Sequence, residues 1–204
     1  SINPSRGSIT LRGRNINSMK IKAFAREVAF LTQHHECSGD LSVKELVEYG
    51  RYSHRAWWKG GSKEDKDIVE WALVKTRMNA FADRMVGTLS GGEQQRAWIA
   101  MSLAQKPNLF ILDEPTTYLD ICNQLEILEL LKNLNREESI TVIMVLHDIN
   151  QAARFSDELV MLENGKVFAS GNPSEIMNEE NLRAVFRVET EISYDVDSKK
   201  PIFY

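Results

Sequence analysis

The sequence predicts an α/β fold: a mostly parallel sheet with crossover helices, and a helical subdomain set between its strands. Three observations predict it. Leu109-Phe110-Ile111-Leu112 and Ile140 to Leu146 are short, uninterrupted apolar runs, the pattern of strands buried on both faces. Between them, Gln124 to Leu134 places Ile127, Leu130, Leu131 and Leu134 on one helical face, so strand and helix alternate as in a crossover unit. From Ser42 to about Ala104, by contrast, the strong signals are all helical.

The elements follow in order. Ser8 to Leu11, followed by Arg12-Gly13-Arg14, predicts a strand and turn, and Val28 to Leu31 a second strand ending by Gln33. Ser42-Val43-Lys44-Glu45 has the form of a capping box, with Leu41 and Leu46 spaced as a hydrophobic staple. Ser62 caps a helix running through Ile68, Trp71 and Ala72. Ser90-Gly91-Gly92-Glu93 is another capping box, opening a helix whose packing face is Ala97, Ala100, Met101 and Ala104. After the second apolar strand Asp148 caps a helix. Leu159 to Leu162 and Lys166 to Ala169 flank Asn164-Gly165 as a hairpin. Asn172-Pro173-Ser174-Glu175 opens a further helix with cap, proline and acidic residue in order.

Composition narrows the function classes. The 204 residues carry 25 basic and 29 acidic side chains, a formal net charge of −4, which argues against a general nucleic-acid binder. Arg51, Arg55, Trp57, Trp58 and Lys59 mix charge with aromatics, but their place in the helical insertion favours a surface loop or a protein contact. Cys37 and Cys122 stand far apart without a CxxC, so neither a disulfide framework nor a zinc site is signalled, and a reducing compartment is expected. His34 and His35 are adjacent, point apart on extended backbone, and lack a partner motif for a metal. The apolar runs are far shorter than the roughly 20 residues a membrane helix needs.

The chemistry gathers at the carboxyl ends of the two apolar strands, where open α/β sheets bind ligands. There the sequence places Asp113-Glu114 and His147. A carboxylate pair at such an end suits a magnesium nucleotide: the first supports the metal, directly or through water, and the second polarises the attacking water. A histidine on the neighbouring strand can donate to the transferred phosphoryl group. Taken alone, each has a bland explanation, a solvated turn or a structural histidine. The glycines of the Ser90 helix add weight, since each costs roughly 1 kcal/mol relative to alanine inside a helix. Capping accounts for Ser90 and Glu93 but not for Gly91 and Gly92, whose bare N–H groups at the positive end of a helix suit a phosphate.

With these residues in view, Leu89 to Arg96, "LSGGEQQR", resembles the signature motif of ATP-binding cassette (ABC) ATPases, and Leu109 to Pro115, "LFILDEP", their Walker B strand. Thr116 to Asp120 resembles the D-loop, His147 the switch histidine and Gln33 the Q-loop glutamine. More narrowly, Gln33-His34-His35, Gly50-Arg51-Tyr52-Ser53-His54, "DEPTTYLDI" and "VLHDINQAARFSD" resemble ATPase subunits of bacterial importers for ferric siderophores, including ferric citrate and ferrichrome. The resemblance implies a P-loop NTPase-like core and the use of ATP and Mg2+. It implies Glu114 as general base, Asp113 and Gln33 as magnesium contacts, and Gln33 and His147 as γ-phosphate sensors. It further implies that Ser90, Gly91 and Gly92, with Glu93 at the same helix start, bind the nucleotide of a second ATPase subunit, and that Asp120 joins the two sites of the homodimer. Two membrane permease subunits, and indirectly an extracytoplasmic iron-chelate binding protein, complete the implied assembly, which has no nucleic-acid partner and lies at the cytoplasmic face of the cell membrane.

On this basis residues 1–35 are expected to form an N-terminal part of the core ending in the Q-loop, 36–104 the helical subdomain, and 105–204 the remainder of the core. One departure from the family pattern stands out. No G-x-x-x-x-G-K-[ST] occurs, and Gly60-Gly61-Ser62-Lys63 has the wrong order and precedes the wrong element. Ser1 to Gly7 resembles the family segment just after the Walker A helix, so the expectation is a chain truncated before that helix, binding ATP poorly and hydrolysing it little or not at all by itself. Two alternatives remain open in the sequence: an ABC ATPase of DNA repair or the ribosome, whose coiled coils or tandem cassettes are not seen, and a non-catalytic regulatory module.

Overall fold

A computed structural model describes residues 4–33, 40–54, 61–196 and 200–204. It contains two compact units, Ser1–Met144 and Val145–Tyr204. The first opens with a hairpin, β1 (Thr10–Leu11) and β2 (Arg14–Asn15), turned by Arg12 and Gly13 at φ of 50° and 75°. Helix α1 (Ile21–Glu27) has no counterpart in the sequence expectation; it precedes β3 (Val28–Leu31) without a side-chain cap, which is why the usual start signal was missing.

Strand β3 pairs in parallel with β4 (Leu109–Asp113), Val28 against Leu109 and Leu31 against Leu112, and β5 (Thr141–Val145) lies on the far side of β4. The 77 residues from Thr32 to Asn108 therefore sit between two hydrogen-bonded neighbours. Asn108 joins the strand entrances: its N–H donates to the Glu27 carbonyl at 2.9 Å, its side chain to the Glu27 carboxylate at 2.8 Å, and its carbonyl accepts from the Thr141 N–H at 3.0 Å.

The helical segment between β3 and β4 holds α2 (Val43–Tyr49), α3 (Lys63–Lys75) and α4 (Gly91–Ala104). Each starts with a complete capping box, from Ser42 and Glu45, Ser62 and Asp65, and Ser90 and Glu93, so the local sequence rule fixes all three starts. Helix α4 is buried more widely than its alanine face suggested, with Ile99 and Leu103 fully enclosed and Met101 only half-buried. It occupies the centre, packing on α2, α3 and β3, so its apolar residues are needed on more than one face. Helix α5 (Ile121–Glu138) buries Ile127, Leu128, Leu131 and Leu134, close to the expected stripe.

A buried ion pair ties the helical segment. Arg51, just past α2, donates from Nε to Asp65 Oδ1 at 2.8 Å and from Nη1 to the Ala104 carbonyl at 2.8 Å. Arg51 and Asp65 are only 4% and 6% exposed, so the expectation of a surface role for Arg51 is corrected. Its distance in sequence from Asp65 hid the pairing. Arg55, Trp57, Trp58 and Lys59, together with His34, His35 and Cys37, lie outside the described residues.

Strand β4 buries Phe110 and Leu112 completely, while Leu109, Ile111 and Asp113 are half-buried. Strand β5 departs from the expectation of burial on both faces: Ile143 and Val145 are each 51% exposed, and Val142 and Met144 face inward. Val142 and Met144 pack against the core of the first unit, and an apolar run alone does not distinguish a strand buried on one face from one buried on both.

The second unit has its own core of Ala153, Met161, Ile176, Met177, Leu182 and Phe203. Helix α6 (Ile149–Phe155) is capped by Asp148, and β6 (Leu159–Glu163) and β7 (Lys166–Gly171) form the expected hairpin, with Asn164 and Gly165 both at positive φ. Helices α7 (Pro173–Ile176) and α8 (Glu179–Phe186) follow, then the pair β8 (Ile192–Tyr194) and β9 (Pro201–Phe203). Asn150 clamps β9 to α6, donating to the Phe203 carbonyl at 3.1 Å and accepting its N–H at 2.8 Å.

Candidate functional site

Parallel pairing of β3 and β4 brings their carboxyl ends level, and this carries Gln33 to Glu114 across 81 residues of sequence. Gln33 Nε2 donates to Glu114 Oε2 at 2.7 Å, and Thr117 Oγ1 donates to the same oxygen at 3.0 Å. Two donors converging on one carboxylate oxygen fix the plane of the carboxylate. Glu114 sits at φ +50°, a left-handed conformation that costs a non-glycine residue of order 1 kcal/mol and is met mostly where a site over-determines it. The turn is closed by the Thr117 N–H donating to the Glu114 carbonyl at 3.2 Å, with Pro115 rigid between them. Asp113, the last residue of β4, is half-buried beside it.

The same loop leads into α5. Asp120 is the N-cap: Oδ1 accepts the Asn123 N–H at 2.9 Å and Oδ2 accepts Asn123 Nδ2 at 2.7 Å. Hydrogen bonds from the Asn123 backbone and then its side chain hold the Asp120 carboxyl below the usual aspartate range. Tyr118, at φ +64°, is 85% exposed between these two anchored points.

At the start of α4, Glu93 Oε2 accepts from the Ser90 N–H at 2.7 Å and from Ser90 Oγ at 2.8 Å, so Ser90 and Glu93 cap one another. Those Ser90 bonds, backbone first, lower the Glu93 carboxyl below its ordinary value. The two glycines differ. Gly91 is exposed, and a Cβ there would meet only Leu119 Cδ2 at an ordinary 3.6 Å. Gly92 is buried, and a Cβ there would fall on the Asn123 carboxamide. Close packing between α4 and α5 within the chain is thus one reason for the second glycine, additional to the open backbone that the sequence suggested.

His147 is exposed on the connection from β5 to α6, in the second unit. Among the described residues, sequence reasoning assigned no role to Thr117 or Asn123. The available signals were local: a hydroxyl three residues after Glu114, and an amide at the third helical position after an aspartate cap.

Comparison with known proteins decides the family. The sequence profile of the ABC transporter family matches residues 1–117. The chain is 49% identical over 199 residues to a petrobactin import ATP-binding protein of Bacillus anthracis, covering 98% of this chain and 72% of that protein. The chain belongs to the ABC transporter ATPases. It is also similar to the iron(3+)-hydroxamate import ATP-binding protein of Bacillus subtilis, 45% identical over 196 residues, with 96% of this chain and 73% of that one covered. In fold it matches an ATP-binding cassette solved as a dimer in a post-hydrolysis state with ADP and Pi, with TM-score 0.70 and 29% identity over 84% of this chain and 75% of that one.

As an ABC ATPase, the chain is of a class that hydrolyses ATP to drive transport. Among the described residues no cluster of three or more His, Cys, Asp or Glu would hold a metal by protein groups alone. Asp113 ends β4 and Gln33 follows β3, the strand paired with it, so a carboxylate and an amide stand at neighbouring strand ends, oxygen donors of the kind magnesium accepts alongside waters. No described helix of this ABC ATPase is long and apolar enough to cross a membrane.

Proposed function

We propose that this ABC ATPase powers import of iron(III) chelates of the siderophore type, working as a homodimer on two permease subunits at the cytoplasmic face of the membrane. The import relatives support the choice of cargo, and the dimeric cassette supports the pairing. Exposed Tyr118 and Ile121, 85% and 74% accessible beside Asp120, offer an apolar surface for a second subunit to cover. An extracytoplasmic binding protein would deliver the chelate to the permease without touching this chain.

The observation that carries the hydrolytic part is the convergence of Gln33 and Thr117 on Glu114 Oε2 at the end of β4. In this reading Glu114 accepts the proton of the attacking water, with its plane held by Thr117. Gln33 orients Glu114 and would contact the attacking water and sense the γ-phosphate. Asp113 and Gln33 would hold magnesium, which when bound would neutralise phosphate charge. His147 contacts the γ-phosphate. Ser90, Gly91, Gly92 and Glu93 form the helix start that serves the nucleotide of the partner subunit, and Asp120 joins the two sites.

Two experiments test the proposal. In the transporter-bound protein, Glu114→Gln should lower phosphate release by about 10²–10⁴-fold relative to the unsubstituted protein. Unchanged release would remove Glu114 from the role of base. Deleting the gene should abolish growth on a ferric hydroxamate or catecholate as sole iron source, with restoration by the intact gene. Growth on every iron chelate offered would refute the cargo.

A further inference from the structure

The contact between Gly92 and Asn123 has a consequence for how the site is held together. Asn123 occupies the third position of α5, where its N–H and Nδ2 are both committed to Asp120, at 2.9 and 2.7 Å. Its carbonyl oxygen and the rest of its carboxamide fill the space where a side chain on Gly92 would stand. Gly92 is the buried glycine at the start of α4, and a Cβ on its neighbour Gly91 would stand 3.6 Å from Leu119 of the same loop. One side chain therefore contacts both the aspartate that caps α5 and the helix start that carries Ser90 and Glu93.

We propose that Asn123 is a positioning residue: it fixes the register between the Asp120 loop and the α4 helix start, so that both move as one body against the partner subunit's nucleotide. This rests on the transport-ATPase reading above. Its specific content is that Gly92 is glycine because Asn123 must lie against it. Substrate need not touch Asn123; its effect passes through Asp120 and through the α4 backbone.

The test uses reciprocal substitutions in the transporter-bound ATPase. A misplacement of 1 Å can cost about 100-fold in rate, so the partial loosening caused by Asn123→Ala should lower kcat about tenfold. The KM for MgATP should change less than about twofold, since a positioning residue acts through Asp120 and the α4 backbone and not by binding substrate. Gly92→Ala should be nearly inactive, because the new methyl group displaces the carboxamide. Adding Asn123→Gly to Gly92→Ala should recover kcat about tenfold or more over Gly92→Ala alone. Glycine is chosen for the rescue because even the Asn123 Cβ would stand 3.1 Å from that methyl. A wild-type kcat in Asn123→Ala, or a double variant no better than Gly92→Ala, would overturn the inference.

A separate readout distinguishes failure of this inference from failure of the function on which it rests. If the unsubstituted transporter hydrolyses no ATP, the functional reading falls, and amide hydrogen exchange of this chain decides the role of Asn123. The Glu93 and Gln94 amides are bound to Ser90 in the first turn of α4. About tenfold faster exchange there in Asn123→Ala would support the link, and unchanged exchange would refute it.

Discussion

Replacing Asp65 by asparagine should destabilise the helical segment more than its short side chain suggests. The substitution keeps the shape and removes the charge that Arg51 faces at 2.8 Å. Both groups are nearly enclosed, and Arg51 would retain the Ala104 carbonyl as a partner at 2.8 Å. Removing one member of a buried pair costs about 3–5 kcal/mol; the retained carbonyl and the asparagine dipole place this case at about 3 kcal/mol. A typical domain has only about 5–15 kcal/mol of stability, so the loss should appear as a large drop in urea midpoint at pH 7. The pH dependence adds an independent check. Burial raises the Asp65 carboxyl, but the hydrogen bonds from Arg51 and from the Ser62 N–H and hydroxyl outweigh it and lower it from 3.8 to about 2. A carboxyl depressed by folding contributes its full stability above the unfolded value near 4 and loses it as pH falls toward 2. The gap between wild type and Asp65→Asn should thus be narrower at pH 3 than at pH 7. A cost below about 1 kcal/mol at pH 7, or a gap that does not narrow, would refute the argument. Arg51→Met combined with Asp65→Leu should be close to neutral, because an apolar pair leaves no buried charge behind.

Four further expectations follow from individual contacts. Thr117→Val removes one of the two described donors to Glu114 Oε2 and should lower kcat several-fold in the transporter, of the order of one lost hydrogen bond, about 1 kcal/mol, with Thr117→Ser restoring it. Ser90→Ala removes the cap of α4 and should cost about 1 kcal/mol in thermal or urea unfolding. Gly50→Ala would drive a methyl group onto the Met101 carbonyl oxygen and to 2.9 Å from the Ala104 Cβ; about 1–3 kcal/mol should be lost, read from the shift in urea midpoint. Glu93→Gln should destabilise α4 at pH 7 and much less in acid, because the lowered Glu93 carboxyl contributes only above its titration range; equal effects at pH 7 and pH 3 would exclude that account.

Much of this was legible in local sequence. Ser42, Ser62 and Ser90, each followed three residues later by an acid, marked three helix starts that the structure shows as complete capping boxes. Asn164-Gly165 marked its hairpin for a similar local reason, since both residues take positive φ. What the sequence did not reveal depends on contacts between distant segments. Arg51 looked like part of a surface cluster because its partner Asp65 is 14 residues away and its second anchor, Ala104, is 53 away. The apolar run of β5 could not announce that Ile143 and Val145 would stay exposed, since periodicity reports apolar faces and not what covers them. At the candidate site the motif residues were readable, but the Gln33 to Glu114 bond and the space claimed by Asn123 emerge only from parallel pairing and close helix packing.

The parallel joining of β3 and β4 also constrains the order in which the chain can assemble. Pairing two strands separated by so much sequence carries a loop-closure cost that grows with the length of disordered chain between them. Helices α2, α3 and α4 lie within that interval and pack on one another, so their prior collapse would convert a long flexible loop into a short, pre-shaped connector. A chain emerging residue by residue from synthesis would then form the helical segment first, and strand β4 would meet β3 only afterwards. Glu114 would gain its Gln33 partner at that late step, so the carboxylate proposed to activate water would be oriented only after the helices that present the turn proposed to bind phosphate already exist.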